Sequence, residues 1–79
     1  MYPNLATHRR KIACNEVLTT AQALLTQYVL ELSAEGWVER LYPLTAEQPF
    51  TEWLTGRIVL HKTADGHTEA FYCNRRLEG

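Results

Sequence analysis

Two runs rich in β-branched and aromatic residues flank Asp65-Gly66 in the last third of the chain: Gly56–Lys62 (GRIVLHK) and Thr68–Cys73 (TEAFYC). Asp-Gly between alternating apolar runs is a strong hairpin signal. A two-residue turn there sets Lys62 opposite Glu69, Leu60 opposite Phe71 and Ile58 opposite Cys73. A three-residue loop with a bulge at Gly66 shifts the pairing by one. In either register Val59 lies opposite an aromatic, Tyr72 or Phe71, and both faces of the ribbon carry apolar side chains. The helix expected ahead of the ribbon can cover one face, which leaves the second in need of a partner.

Upstream, the stretch from Leu5 to Ala34 contains no Gly and no Pro. Val17, Ala21, Leu24, Leu25, Tyr28, Val29 and Leu32 recur at three- and four-residue steps, the stripe of an amphipathic helix. Asn4 suits its N-cap and Gly36 its C-terminal stop. Thirty helical residues would extend about 45 Å, whereas a seven-residue strand spans about 23 Å. The helix therefore either overhangs the sheet or breaks near Asn15, which would cap its second half. Trp37–Tyr42 alternates large apolar residues with charge and reads as a strand that Pro43 either ends or marks as an edge. Thr45–Gln48 resembles a capping box cut short by Pro49. That predicts a loop with at most a short helix over Phe50–Leu54, where Phe50, Trp53 and Leu54 would plug the core. The expected fold class is α+β: a long N-terminal amphipathic helix, continuous or broken near Asn15, on a three-stranded antiparallel sheet ending in a β-hairpin.

Seventy-nine residues suit a single domain, 1–79. A core this small often takes support from a disulfide, a metal or a second subunit. Nothing in the sequence resembles a membrane-spanning run or a secretory signal, so a cytoplasmic protein is expected. Cys14 and Cys73 then read as reduced thiols. The size fits a small bacterial or phage accessory protein. The net charge of −1 gives no bulk attraction to nucleic acid.

Candidate chemistry is sparse. His61, His67 and Cys73 lie on the hairpin, but no short paired spacing of metal ligands occurs. In the two-residue-turn register, moreover, His61 and Cys73 fall on opposite faces. Ser33 is the only serine and Asp65 the only aspartate; helix end and turn account for them. Cys14 has Arg9, Arg10 and Lys11 upstream, which would lower its pKa. None of this assembles a nucleophile, a base and an orienting group. The expectation is no enzyme, no cofactor and no metal.

Two surface features remain. If strand order follows the chain, Arg9, Arg10, Lys11, Arg40, Arg75 and Arg76 gather at one end as an anion or nucleic-acid patch. The plainer reading of the same residues is a solvated charged end. The aromatics Tyr42, Trp53 and Tyr72, with Val59, His61 and Ala70, form the expected protein interface; Trp37, Phe50 and Phe71 are assigned to the core. The leading function is a non-enzymatic interaction or regulatory module that self-associates as a homodimer or docks on a larger protein through the hairpin.

The runner-up rests on a likeness. Glu35–Arg40, followed by Gly56–Leu60 and Thr63–Gly66, resembles the join between recognition helix and wing in winged-helix repressors. It covers less than half of the chain. The resemblance implies a DNA-binding domain whose helix before the wing reads the major groove. That helix would here offer no Arg or Lys between Asn15 and Trp37, which suits phosphate binding poorly.

Overall fold

The computed structural model describes residues 10–46 and 51–79. Among them there is no helix, and six strands form one mixed sheet. They are β1 (Arg10–Leu18), β2 (Leu24–Leu32), β3 (Val38–Pro43), β4 (Thr51–Lys62), β5 (Thr68–Tyr72) and β6 (Arg75–Arg76). Their order is β3-β2-β1-β4-β5-β6. Only β1 and β4 are parallel; the other neighbours are antiparallel. The expected α+β architecture is thereby corrected, and the N-terminal amphipathic helix is replaced by the β1–β2 hairpin. The short helix allowed over Phe50–Leu54 is also replaced where it is described, because Thr51–Leu54 opens β4.

Three of the connections share one turn design. In Thr19–Ala23, Ser33–Trp37 and Thr63–His67 the first N–H donates to the fifth carbonyl at 2.8–2.9 Å, and the fourth N–H to the first carbonyl at 2.9–3.1 Å. In each, the hydroxyl oxygen of the first residue accepts from the fifth N–H at 3.0–3.1 Å. The fourth residue is left-handed: Gln22 at φ 67°, Gly36 at 87° and Gly66 at 93°. This is the three-residue hairpin loop with a bulge at the left-handed position. Ser or Thr at its head supplies a side-chain acceptor that steadies the loop.

That loop sets the register of β4 on β5. Val59 faces Phe71, Leu60 faces Ala70 and His61 faces Glu69. The pairing of Lys62 with Glu69 expected from a two-residue turn is thus displaced by one residue.

A break in strand alternation at Asn15 and Gln27 explains the apparent helical period. The β1–β4 register slips between Cys14 and Glu16, with Leu54 opposite Cys14 but Arg57 opposite Glu16. Asn15, expected to cap a helix, instead accepts the Gly56 N–H at 2.7 Å. Across from it in β2, Gln27 is left-handed at φ 57°. Inward side chains therefore step by three, from Cys14 to Val17 and from Leu25 to Tyr28. A step of three in a strand mimics part of a helical stripe.

The sheet curls on itself. Trp37 forms an antiparallel bridge with Glu69 at the start of β5, bringing β3 near β5 although three strands separate them in the order. Strand curvature of this kind encloses a core on one face. That core is Ile12, Cys14, Val17, Leu30, Leu32, Ile58, Leu60 and Ala70. Leu54, Tyr72 and Leu77 pack against it from the edges. Arg10 and Arg76 hold the C-terminal segment in place. Arg10 Nη1 donates to the Glu78 carbonyl at 2.6 Å, and Arg76 Nη2 to the Glu35 carbonyl at 2.8 Å.

The winged-helix reading needs a recognition helix ahead of the wing, and the residues placed there form β2, the Ser33–Trp37 turn and β3. With no helix among the described residues, none is long and apolar enough to cross a membrane.

Candidate functional site

Residues opposite each other in register share a sheet face. On the outer face, Leu24 lies beside Leu18, Leu18 beside Val59, and Val59 beside Phe71. One apolar row thus crosses β2, β1, β4 and β5. Leu24 is 47% and Val59 40% exposed. The β4–β5 end of the row opens into a groove of about 550 Å³ lined by Arg57, Val59, His61, Glu69, Phe71, Cys73 and Asn74.

Polar pairs border the row. On one side Arg57 Nε donates to Glu16 Oε1 at 3.0 Å. On the other, His61 Nδ1 is 3.5 Å from Glu69 Oε1, and Arg76 Nε donates to Glu69 Oε2 at 2.8 Å. The His61 ring meets Phe71 edge-on at 6.4 Å. Beside Glu69, the Trp37 ring stacks on His67 at 4.3 Å and lies 5.0 Å from the Arg76 guanidinium. The groove is therefore fixed at its seam by charge and stacking, with Val59 and Phe71 as its apolar floor.

The expected interface residues divide between the faces. Val59 and His61 line the groove. Ala70 is fully buried, and Tyr72 packs on the core with its hydroxyl donating to the Thr55 carbonyl at 2.6 Å. The one-residue register shift sends them inward and brings Phe71 and Glu69 outward. Phe71, expected in the core, is thus a groove residue. His61 and Cys73, expected on opposite faces, line the same groove.

Tyr42 and Trp53 lie in a different outer row, through Val29 and Ala13. Trp53 is 49% exposed. The Tyr42 hydroxyl is committed within the chain, donating to Glu31 Oε2 at 2.6 Å. Burial first, and then the Glu31 carboxylate, push this phenol up to about 12. The fold thus holds the Tyr42 proton more tightly than the unfolded chain does. Its stabilisation is complete below the ordinary tyrosine value of 10.0 and is lost as pH rises through about 12. Tyr42→Phe should cost about 1–3 kcal/mol at neutral pH, because the buried Glu31 carboxylate loses its donor. It should also flatten the loss of stability between about pH 10 and pH 12. Urea midpoints measured across that range test both effects.

The expected basic patch comes together in part. Arg10 and Arg76 converge on the Ser33–Trp37 side through their contacts with the C-terminal segment and Glu35. Both are already engaged: Arg10 binds Glu52 at 2.6 and 2.9 Å, and Arg76 binds Glu69. The Arg10 hydrogen bond holds the Glu52 carboxyl below its usual value. Arg40 lies on β3, 5.6 Å over the Tyr42 ring. Arg75 is exposed and Lys11 half-buried. Arg9 lies outside the described residues.

Cys14 is buried, its thiol pushed up to about 11 chiefly by desolvation, the reverse of the lowering its basic neighbours suggest. Ser33 spends its hydroxyl on a turn. At the hairpin tip, hydrogen bonds from Thr63 and then His67 lower the Asp65 carboxyl. Among the described residues, no group of three or more His, Cys, Asp or Glu could hold a metal ion.

No protein-family model matches the chain, and no curated protein or solved structure matches it significantly.

Proposed function

We propose that this protein is a non-enzymatic interaction module whose working surface is the outer face of β1, β4 and β5. The carrying observation is the apolar row through half-buried Leu18, exposed Val59 and half-buried Phe71, bordered by polar pairs. Apolar surface rimmed by fixed charge is the usual make-up of a protein-docking site. The residues first in line for covalent chemistry support a binding role instead, since the Cys14 thiol is inward and protonated and the Ser33 hydroxyl serves a turn. Nucleic acid draws less support as a partner, because Arg10 and Arg76 are paired with carboxylates. Two unbridged cysteines suit a reducing compartment such as the cytoplasm.

Val59→Lys tests the reading, because this side chain is half outside the fold. The thermal midpoint should stay within a few degrees, as expected of a surface change of roughly 0.5 kcal/mol. Association with whatever the unaltered chain binds, itself or a host protein, should fall at least ~10-fold. Capture from the host and solution mass, each compared between the two chains, give the readout. Identical captured sets together with identical masses would remove this face from consideration.

A further inference from the structure

The outer face carries acids and bases in a pattern complementary to itself. On one side of the apolar row, Glu16 and Arg57 stand on the neighbouring strands β1 and β4. On the other side, His61 and Glu69 stand on β4 and β5, with Arg76 Nε on the second Glu69 carboxylate oxygen. Followed in one direction across the sheet, the first pair runs from acid to base and the second from base to acid. Same-face neighbours are about 4.8 Å apart across strands and about 6.8 Å apart along them. On that grid, a twofold axis lying between two stacked sheets, close to the apolar row and passing near Val59, exchanges the two pairs to within about 2 Å.

We propose that a second copy of this chain stacks on this face about that axis. Arg57 of each copy then meets Glu69 of the other, and Glu16 meets His61. The apolar row packs on its own counterpart at the centre. The strands of the two copies cross at about 40°, near the roughly 30° at which aligned sheets pack. An isologous contact of this kind closes at two copies and leaves no free end to propagate. The inference rests on the reading of the outer face as the working surface.

Area sets the strength. The sheet curls away on either side, so contact is confined to the row and its two borders. That patch is roughly 15 by 20 Å, or about 300 Å² per copy, under half of the ~800 Å² per partner in a standard interface. The dimer is therefore weak and transient.

Sedimentation equilibrium of the full chain from about 10 µM to 1 mM tests it, with the mass rising towards twice 9.1 kDa. Val59→Lys places a lysine from each copy at the centre and should weaken the dimer about 100-fold. A double exchange, Glu16→Arg with Arg57→Glu, keeps the internal ion pair but sets like charges across the axis. It should weaken the dimer about 10-fold at low salt while leaving the thermal midpoint in place. A monomer throughout the range, or a dimer indifferent to both changes, overturns the proposal. A monomer that nonetheless loses a captured host protein on Val59→Lys overturns the dimer and leaves the docking face standing. A monomer whose captured set is unchanged removes both.

Discussion

Ile58→Ala should lower the unfolding free energy by about 2–5 kcal/mol, whereas Val59→Ala, one residue on, should cost under ~1 kcal/mol. The two side chains are adjacent in β4 and of similar size, so the contrast isolates the face they occupy. Ile58 is fully buried, opposite Val17 on β1 and Tyr72 on β5. Its truncation removes apolar burial and leaves a cavity between strands too tightly hydrogen-bonded to collapse around it. Val59 is 40% exposed, and its loss leaves no enclosed space. A chain of 79 residues has roughly 4–12 kcal/mol of stability in all. The inner substitution therefore removes a large fraction of it and brings the domain near its folding threshold. Urea unfolding should show the midpoint moving for Ile58→Ala with little change in slope. Equal costs at the two positions would mean that the sheet does not enclose the side on which Ile58 lies.

The turn at Thr63–His67 was legible because Asp65-Gly66 announces it. The Ser33–Trp37 turn has the same chemistry, a hydroxyl residue followed three positions later by glycine. Yet Gly36 comes directly after an apolar period and reads equally well as a helix stop. The Thr19–Ala23 turn has Gln22 where the others have glycine. A non-glycine residue in the left-handed region costs of order 1 kcal/mol, and the fold absorbs that cost here. With no Gly or Pro to punctuate it, and with a break in alternation at Asn15 and Gln27 stretching two inward steps from two residues to three, the β1–β2 hairpin presents a helical face in one dimension. Strand pairing on both sides of β1 outweighs that local preference. A search for Ser or Thr followed by a left-handed-tolerant residue three positions later would have found two of the three loops. The site was legible to the same degree. Val59 and His61 follow from the hairpin, but the choice between Phe71 and Tyr72 as their outer neighbour hangs on a single loop residue. Leu18 and Leu24 join the row only once the helix is given up.

Gly36→Ala should cost about 2–4 kcal/mol, and Gly66→Ala about 1 kcal/mol. Both glycines occupy the same position of the same turn, at φ 87° and 93°, so the backbone strain of adding a side chain is shared. Their surroundings differ. A methyl group at Gly66 meets nothing within 4 Å. At Gly36 it would stand 2.9 Å from the Leu77 carbonyl oxygen and 3.0–3.1 Å from the guanidinium nitrogens of Arg76. The guanidinium can give way only by weakening its bonds to Glu35 and Glu69. The Leu77 carbonyl belongs to backbone held by the Leu77 N–H, which donates to the Ala70 carbonyl at 2.8 Å. Relief of the clash therefore pushes the C-terminal segment off the end of the core, where the Leu77 side chain packs. Amide exchange supplies an independent readout: the Leu77 N–H should lose protection in Gly36→Ala and keep it in Gly66→Ala. If the two substitutions cost the same and leave that amide equally protected, the close approach of the C-terminal segment to the Ser33–Trp37 turn is wrong. The anchoring role of Arg10 and Arg76 would be lost with it.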